Sequence, residues 1–119
     1  MTKHEVRFTV SLKINPDKFD AFEHVAQTMI ADTQKEAGAI GYDWCLSSDR
    51  KQCRLVETYV DANAVAAHLT GPVVQELVPK LLEVSSISGF EVYGDPGPKA
   101  TDMLVGLGAK IFPLWRGFK

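Results

Sequence analysis

The sequence has no apolar run long enough to cross a membrane and no dense cluster of lysine and arginine. A membrane-spanning helix needs about 20 apolar residues, and nucleic-acid binding needs a concentrated basic surface, so neither partner is expected. The formal net charge of the 119 residues is only -2. The first residues lead directly into a strand pattern and lack the apolar stretch of a signal peptide. The sequence therefore predicts a one-domain cytoplasmic protein with neither membrane nor nucleic acid as a partner.

Cysteine and histidine are also scarce. The two cysteines, Cys45 and Cys53, flank a polar turn without the C-x-x-C spacing of redox pairs. In a cytosolic chain such thiols are expected to be free and buried. The three histidines, His4, His24 and His68, are scattered, with no cysteine or carboxylate at metal-ligand intervals. The sequence therefore predicts no metal site.

The chain does contain a regular succession of strand and helix patterns. Residues 6–12, 40–46 and 87–93 alternate between apolar and polar, and 53–60 predicts a further strand. Helical spacing follows Asn15-Pro16 as far as Gly38, then recurs at 61–70 and 74–82, where Pro79 should bend or restart the helix. The order is βαββαβ, which predicts an α+β, ferredoxin-like fold with an antiparallel sheet and both helices on one face.

The predicted sheet carries apolar residues on both of its faces. Such a sheet cannot leave one face in water, so the simplest arrangement is a homodimer packed face to face. Residues 1–98 form the predicted domain, and 99–119 form a C-terminal extension. The extension includes Met103, Leu104, Trp115 and Phe118. We expect it to be ordered, with Trp115 buried against the barrel or the partner subunit.

The most informative segment runs from Glu57 to His68. Glu57 and Tyr59 have the same parity on a strand, so both point from one face of the sheet. Asp61 predicts a helix N-cap, and His68 lies about two turns into the helix that follows. A short connection folds this helix back over its strand, so a carboxylate, a phenol and an imidazole can meet in one crevice. His68, Tyr59 and Glu57 are therefore the candidate catalytic residues.

Each candidate also has a structural interpretation. His68 can act as a general acid or base near neutral pH, or it can hydrogen-bond to a backbone carbonyl or to Glu57. Glu57 can orient His68 or pair with a nearby arginine. Trp44 and Tyr42 can bind a substrate by lining a cavity, although aromatic residues on strands usually belong to the core. A ligand pocket is itself mostly apolar, so the two roles are compatible.

A motif around these residues resembles the antibiotic biosynthesis monooxygenase family, whose members are dimeric ferredoxin-like α/β-barrel proteins. The motif consists of a strand-end Glu-x-Trp or Glu-x-Tyr, a short helix that ends in histidine, and a proline at the start of the next helix. In this chain it comprises Glu57, Tyr59, Asp61, Ala64, His68 and Pro72. The strand and helix order supports the likeness over residues 1–98. Tyr93-Gly94-Asp95-Pro96 and the final Gly117-Phe118-Lys119 resemble one subgroup.

The resemblance implies a cofactor-independent monooxygenase that binds a small aromatic or quinol-type substrate between helices and sheet. Protein groups would assist deprotonation of the substrate, whose anion then reduces O2. A second candidate is an isomerase of a small phosphorylated carbonyl compound, similar to the autoinducer-2 phosphate isomerase, which also carries tyrosine at the position of Tyr59. Haem-degrading relatives carry tryptophan there and use a nearby asparagine, which 6–13 lacks. A homodimer that only binds a metabolite, or is purely structural, is the non-enzymatic alternative.

Overall fold

A computed structural model describes all 119 residues and contains one open five-stranded sheet. Its strands are β1 (Val6–Ile14), β2 (Ala39–Leu46), β3 (Gln52–Tyr59), β4 (Ser85–Tyr93) and β5 (Lys110–Phe112). The helices are α1 (Phe19–Gln34), α2 (Ala62–Thr70), α3 (Val78–Val84) and α4 (Pro98–Gly106), and a π-helical turn, Val73–Leu77, connects α2 to α3. The predicted ferredoxin-like α+β fold is confirmed. No helix combines the length and the apolar character that a membrane span requires.

The order of strands in the sheet is β2-β3-β1-β4-β5. The first four pair antiparallel, as the sequence predicts. The C-terminal extension adds β5, which runs parallel to β4 and places Ile111 opposite Val92. The sequence pattern predicts Ile111 on a helical stripe with Leu104, but the helix ends at Gly106 and Gly108 has a positive φ of 91°. Glycine adopts this backbone conformation without steric cost, so the chain turns there and enters β5.

Helix α1 is shorter than predicted at both ends. The sequence places its start at Asn15-Pro16 and its end at Gly38, whereas the helix runs from Phe19 to Gln34. Asn15 does not cap it, because its side-chain amide donates to the carbonyl of Glu83 at 3.5 Å. Asp17 then adopts a positive φ of 61°, which breaks the backbone continuity that a helix needs. Residues 15–18 therefore form a turn.

Helix α2 begins as predicted. The Asp61 carboxylate accepts a hydrogen bond from the backbone N–H of Ala64 at 2.9 Å, which is the usual N-cap interaction. The predicted break near Pro79 is also present, because the π-helical turn ends at Leu77 and α3 starts at Val78. Proline in the first turn of a helix removes no helical hydrogen bond.

The core lies on the face of the sheet that the helices cover. Val6, Phe8, Val10 and Leu12 of β1 point into it and are buried. The opposite face carries mainly polar and small side chains, which in β1 and β3 are Arg7, Thr9, Ser11, Lys13, Arg54, Val56 and Thr58. The prediction of two apolar faces is therefore not met. Of the residues of β3 on that face, only Val56 is apolar.

The C-terminal extension contributes to the core through α4. Leu104 is completely buried and packs in one cluster with Val6 and Phe8. The last residues of the extension do not belong to the core, since Trp115 is 84% exposed and Phe118 is 94% exposed. Trp115 is thus not buried against its own subunit, and its burial by a partner stays a prediction.

Substitution of Leu104 by alanine is expected to lower the free energy of unfolding by about 2–5 kcal/mol, because it leaves a cavity at a fully packed site. Val105→Ala is the matched control, since Val105 is 54% exposed and surface changes usually stay within about 0.5 kcal/mol. Urea unfolding of both variants measures the difference. Equal effects would mean that α4 does not belong to the folding unit of the sheet.

Candidate functional site

An apolar cavity lies between the sheet and the helices. Its volume is about 70 Å³, and 14 of the 16 residues on its wall are hydrophobic. The two others are Glu57 and His68, and the ring of Tyr42 also lies on the wall. Binding sites for small molecules commonly combine an apolar wall with a few placed polar groups. This cavity therefore has the composition of a ligand site.

Glu57 is held in this wall by a short hydrogen bond. Its side chain is 6% exposed, and its Oε1 accepts from the Tyr59 hydroxyl at 2.5 Å. Burial raises the pKa of Glu57, and the charge of Glu36 raises it further. The charge of His68 and the hydrogen bond from Tyr59 lower this pKa, but the net shift is upward. The pKa of Tyr59 is also raised, by burial and by the Glu57 charge. Glu57 therefore retains its proton more readily than an exposed glutamate, and Tyr59 is a neutral donor.

His68 lies between two carboxyl groups. Its Nδ1 is 2.8 Å from Oε1 of Glu36, and its Nε2 is 3.6 Å from Oε1 of Glu57. The first distance is a hydrogen bond, whereas the second is slightly too long for one. The ring also packs against Tyr59 and Tyr42, at centroid distances of 5.0 and 6.2 Å. Its orientation is therefore fixed on several sides.

Glu36 is the polar neighbour that sequence reasoning missed. It follows α1 and lies 32 positions from His68. The close approach of this loop to α2 depends on Gly38, because a Cβ there would collide with Cβ of Ala64. A glycine at the end of a helical pattern is normally interpreted as a C-cap. No local signal connects Glu36 with His68, because only the tertiary packing brings them together.

The structure brings together four of the five predicted site residues. Glu57, Tyr59 and His68 form one contact group, and Tyr42 lies beside them on the cavity wall. Burial and the Glu57 charge raise the pKa of Tyr42. Trp44 does not line this cavity. It contacts Phe22 at a centroid distance of 5.9 Å in a groove between α1 and the edge of the sheet.

The two cysteines lie apart from the site. Cys53 is buried, and burial raises its pKa to about 11, whereas Cys45 is exposed. The prediction of buried free thiols thus holds for Cys53 but not for Cys45. No group of three histidine, cysteine, aspartate or glutamate side chains is arranged to hold a metal ion.

The raised pKa of Glu57 gives a testable pH dependence of stability. In the unfolded chain Glu57 has its ordinary pKa of 4.5, so above this pH the folded state binds more protons than the unfolded state. The free energy of unfolding should therefore fall as pH rises from 4.5 through the folded-state pKa. Glu57→Gln retains an oxygen that can accept from Tyr59 but does not ionise.

We expect Glu57→Gln to remove this decline, each unit of pKa shift being worth about 1.4 kcal/mol. Urea unfolding of parent and variant at several pH values between about 5 and 8 measures it, since stability changes of this origin develop between the two pKa values. Parallel pH profiles for the two proteins would contradict the assignment.

The fold and the cavity define a small ferredoxin-like protein with an apolar site between its sheet and its helices. Residues 6–80 match the antibiotic biosynthesis monooxygenase family. The chain therefore belongs to this family. The matched range includes Glu36 and every residue of the site that the sequence predicted.

Solved structures share the fold. MupZ from Pseudomonas fluorescens is 23% identical, with a TM-score of 0.83, and the match covers 100% of this chain and 91% of MupZ. SnoaB from Streptomyces nogalater, a cofactor-independent oxygenase, is 16% identical, with a TM-score of 0.68 and coverages of 80% and 96%. A conserved Bacteroides thetaiotaomicron protein is 25% identical, with a TM-score of 0.69 and coverages of 76% and 97%. The match to MupZ includes the C-terminal extension. No functionally curated protein matches the sequence.

Proposed function

We propose that the protein is a cofactor-independent monooxygenase that oxidises a small aromatic or quinol-type substrate in this cavity. The observation that carries the proposal is an apolar wall in which Glu57 and His68 are the only non-hydrophobic residues. Membership of a monooxygenase family supports the reaction class. The fold shared with SnoaB, itself a cofactor-independent oxygenase, is compatible with it.

The reaction balances without a cofactor. A ring CH2 group becomes C=O, one atom of O2 enters the product, and the other leaves as water with both hydrogens. The substrate must first lose a proton, so that its electron-rich anion can reduce O2. A positioned acid-base group contributes typically about 10²–10⁴-fold to such a step. In this protein His68 and Glu57, both on the cavity wall, would share that role, with Tyr59 beside them and the apolar wall excluding water.

The charge of the site argues against the phosphorylated substrate of the isomerase alternative. No lysine or arginine lines the cavity. Glu36 and Glu57, both close to His68, have no lysine or arginine ion-pair partner either. Phosphate recognition normally uses arginine, lysine or helix N-termini. A neutral, hydroxyl-bearing ring fits this wall better than a phosphate ester.

The environment of His68 also argues against haem. Its side chain is 4% exposed, and both ring nitrogens lie within 4 Å of a carboxyl oxygen. An iron ligand needs one nitrogen directed at the metal and the other held by a hydrogen bond. We therefore propose no haem iron in this site.

We further propose that the protein acts as a homodimer in which the C-terminal extension contacts the partner subunit. The exposed apolar side chains Phe112, Leu114, Trp115 and Phe118 support this assembly. Four exposed apolar side chains within one stretch of seven residues are typical of a segment that a partner covers. The cytoplasmic location stays a prediction from the sequence.

Oxygen uptake by the purified protein tests the reaction. Electron-rich phenols, quinols and ring ketones are screened without added metal or flavin, and a substrate is expected to consume O2 and gain one oxygen atom. Mass spectrometry after reaction in ¹⁸O2 should show one labelled atom in the product. Tight retention of a compound without oxygen uptake from any candidate would instead support the metabolite-binding alternative.

A further inference from the structure

Three side chains lie one behind another between solvent and the cavity. Glu36 is the outer member, with a side chain 22% exposed, and it does not line the cavity. His68 is the middle member, 4% exposed. Glu57 is the inner member, 6% exposed and on the cavity wall. Exposure thus falls from Glu36 to the two members behind it.

A base inside an apolar cavity must exchange its proton with solvent. The hydrophobic wall offers few groups for this exchange, since only Glu57, His68 and Tyr42 can titrate there. The raised pKa of Tyr42 makes its phenol a poor conductor of protons near neutral pH. Glu57 and His68 therefore remain as the groups through which a proton can leave.

We infer that Glu36, His68 and Glu57 form a proton relay between the cavity and solvent, with Glu36 as its solvent-side end. In the outward direction the Glu57 O–H bond breaks as an Nε2–H bond forms on His68. The Nδ1–H bond then breaks as the carboxylate of Glu36 takes the proton and releases it to water. Glu57 is left as a carboxylate that can accept a substrate proton.

The relay rests on the proposed function, because the proposed oxygenation would move one proton outward and one proton inward through these three side chains. Deprotonation of the substrate follows an outward transfer, and the departure of water consumes a proton that an inward transfer replaces. The two transfers restore the starting tautomer of His68, so the ring need not rotate. The gap of 3.6 Å between Nε2 and Glu57 must shorten for transfer, as catalytic hydrogen bonds often do when substrate binds.

No fixed positive charge opposes the movement of the proton. The groups that face His68 are Glu36 after α1, Tyr42 on β2, and Glu57 and Tyr59 on β3. None of them is a lysine or an arginine. A proton on the ring is therefore surrounded by carboxyl and phenol oxygens that stabilise it during transfer.

Hydrogen–deuterium exchange of the Glu57 carboxyl group tests the relay without any substrate. The infrared band of the protonated carboxyl is assigned to Glu57 by its loss in Glu57→Gln. After mixing into D2O, this band should exchange roughly tenfold or more slowly in Glu36→Gln than in the parent, since an acid-base group has been removed. Glu36→Gln retains an oxygen acceptor for Nδ1–H but cannot take up the proton.

Two variants control the experiment. Glu36→Asp retains an ionisable group and should recover most of the exchange rate. Glu23→Gln changes an exposed glutamate of α1 and should leave the rate unchanged. An unchanged rate in Glu36→Gln, or the absence of a carboxyl band that disappears in Glu57→Gln, would overturn the relay. Failure to find an oxygenase substrate would overturn the proposed function alone, since the exchange is measured on the free protein.

Discussion

Replacing His68 with alanine is expected to lower the rate of oxygen uptake by about 10²–10⁴-fold, the usual contribution of a positioned acid-base group. The reason is that His68 is the only residue of the cavity wall that carries a basic nitrogen. The loss should appear mainly in kcat, because the apolar wall that binds the substrate is retained. Initial rates over a range of substrate concentrations separate kcat from KM.

A buried histidine also contributes to packing, so stability must be controlled. In His68→Asn the side-chain amide can still donate to Glu36 in place of Nδ1, but no atom replaces Nε2. We expect the same loss of turnover with most of the melting temperature preserved. His24→Ala is the control for an exposed histidine. Unchanged turnover in His68→Asn would move the proton transfer to another group and contradict the assignment.

The part of the site that follows local rules could be predicted from the sequence. Parity places Glu57 and Tyr59 on one face of β3, and Asp61 is an N-cap that starts α2. The short connection leaves the helix no path except back over its strand. These constraints act over about a dozen residues, which is why local sequence rules alone predict that His68 lies near Tyr59.

The contacts between distant segments could not be predicted in the same way. Glu36 reaches His68 only because Gly38 lets the loop after α1 pack against Ala64, and nothing in the spacing of these residues records that contact. Trp44 shows the converse case. Its strand parity is that of Tyr42, yet two residues along β2 move it from the cavity to the groove beside α1. Parity determines a face, whereas position along the strand determines the neighbours.

The apolar pattern of the sheet illustrates a different limit. The sequence of β3 contains valine among polar residues, but a single Val56 on the open face does not make that face apolar. The path of the C-terminal extension is harder still to predict, because Gly106 and Gly108 interrupt a helical stripe. The backbone of β5 in this extension pairs with strand β4. This pairing depends on where β4 lies in the folded sheet, which local sequence does not record.

Serine substitution of both Trp115 and Phe118 is expected to weaken the proposed homodimer about 10³-fold or more. Each aromatic side chain is almost fully exposed in the subunit, at 84% and 94%, so neither stabilises the isolated fold. Aromatic residues at the centre of an interface typically contribute about 2 kcal/mol or more each, and about 1.4 kcal/mol changes a Kd tenfold. Obligate dimers of this kind bury about 2,000 Å² or more in total, and two large aromatic rings can supply a substantial part of that area.

Sedimentation equilibrium of parent and double variant over a wide concentration range measures the change in Kd. Circular dichroism and urea unfolding should show an intact subunit, because the buried Leu104 of the extension is untouched. Ile30→Ser is the matched control, since Ile30 is an apolar residue 38% exposed on α1. A parent protein that sediments as a monomer at micromolar concentration would contradict the proposed homodimer. A double variant as dimeric as the parent would show that the two rings lie outside the interface, because contacts of that size cannot be lost from it without a change in Kd.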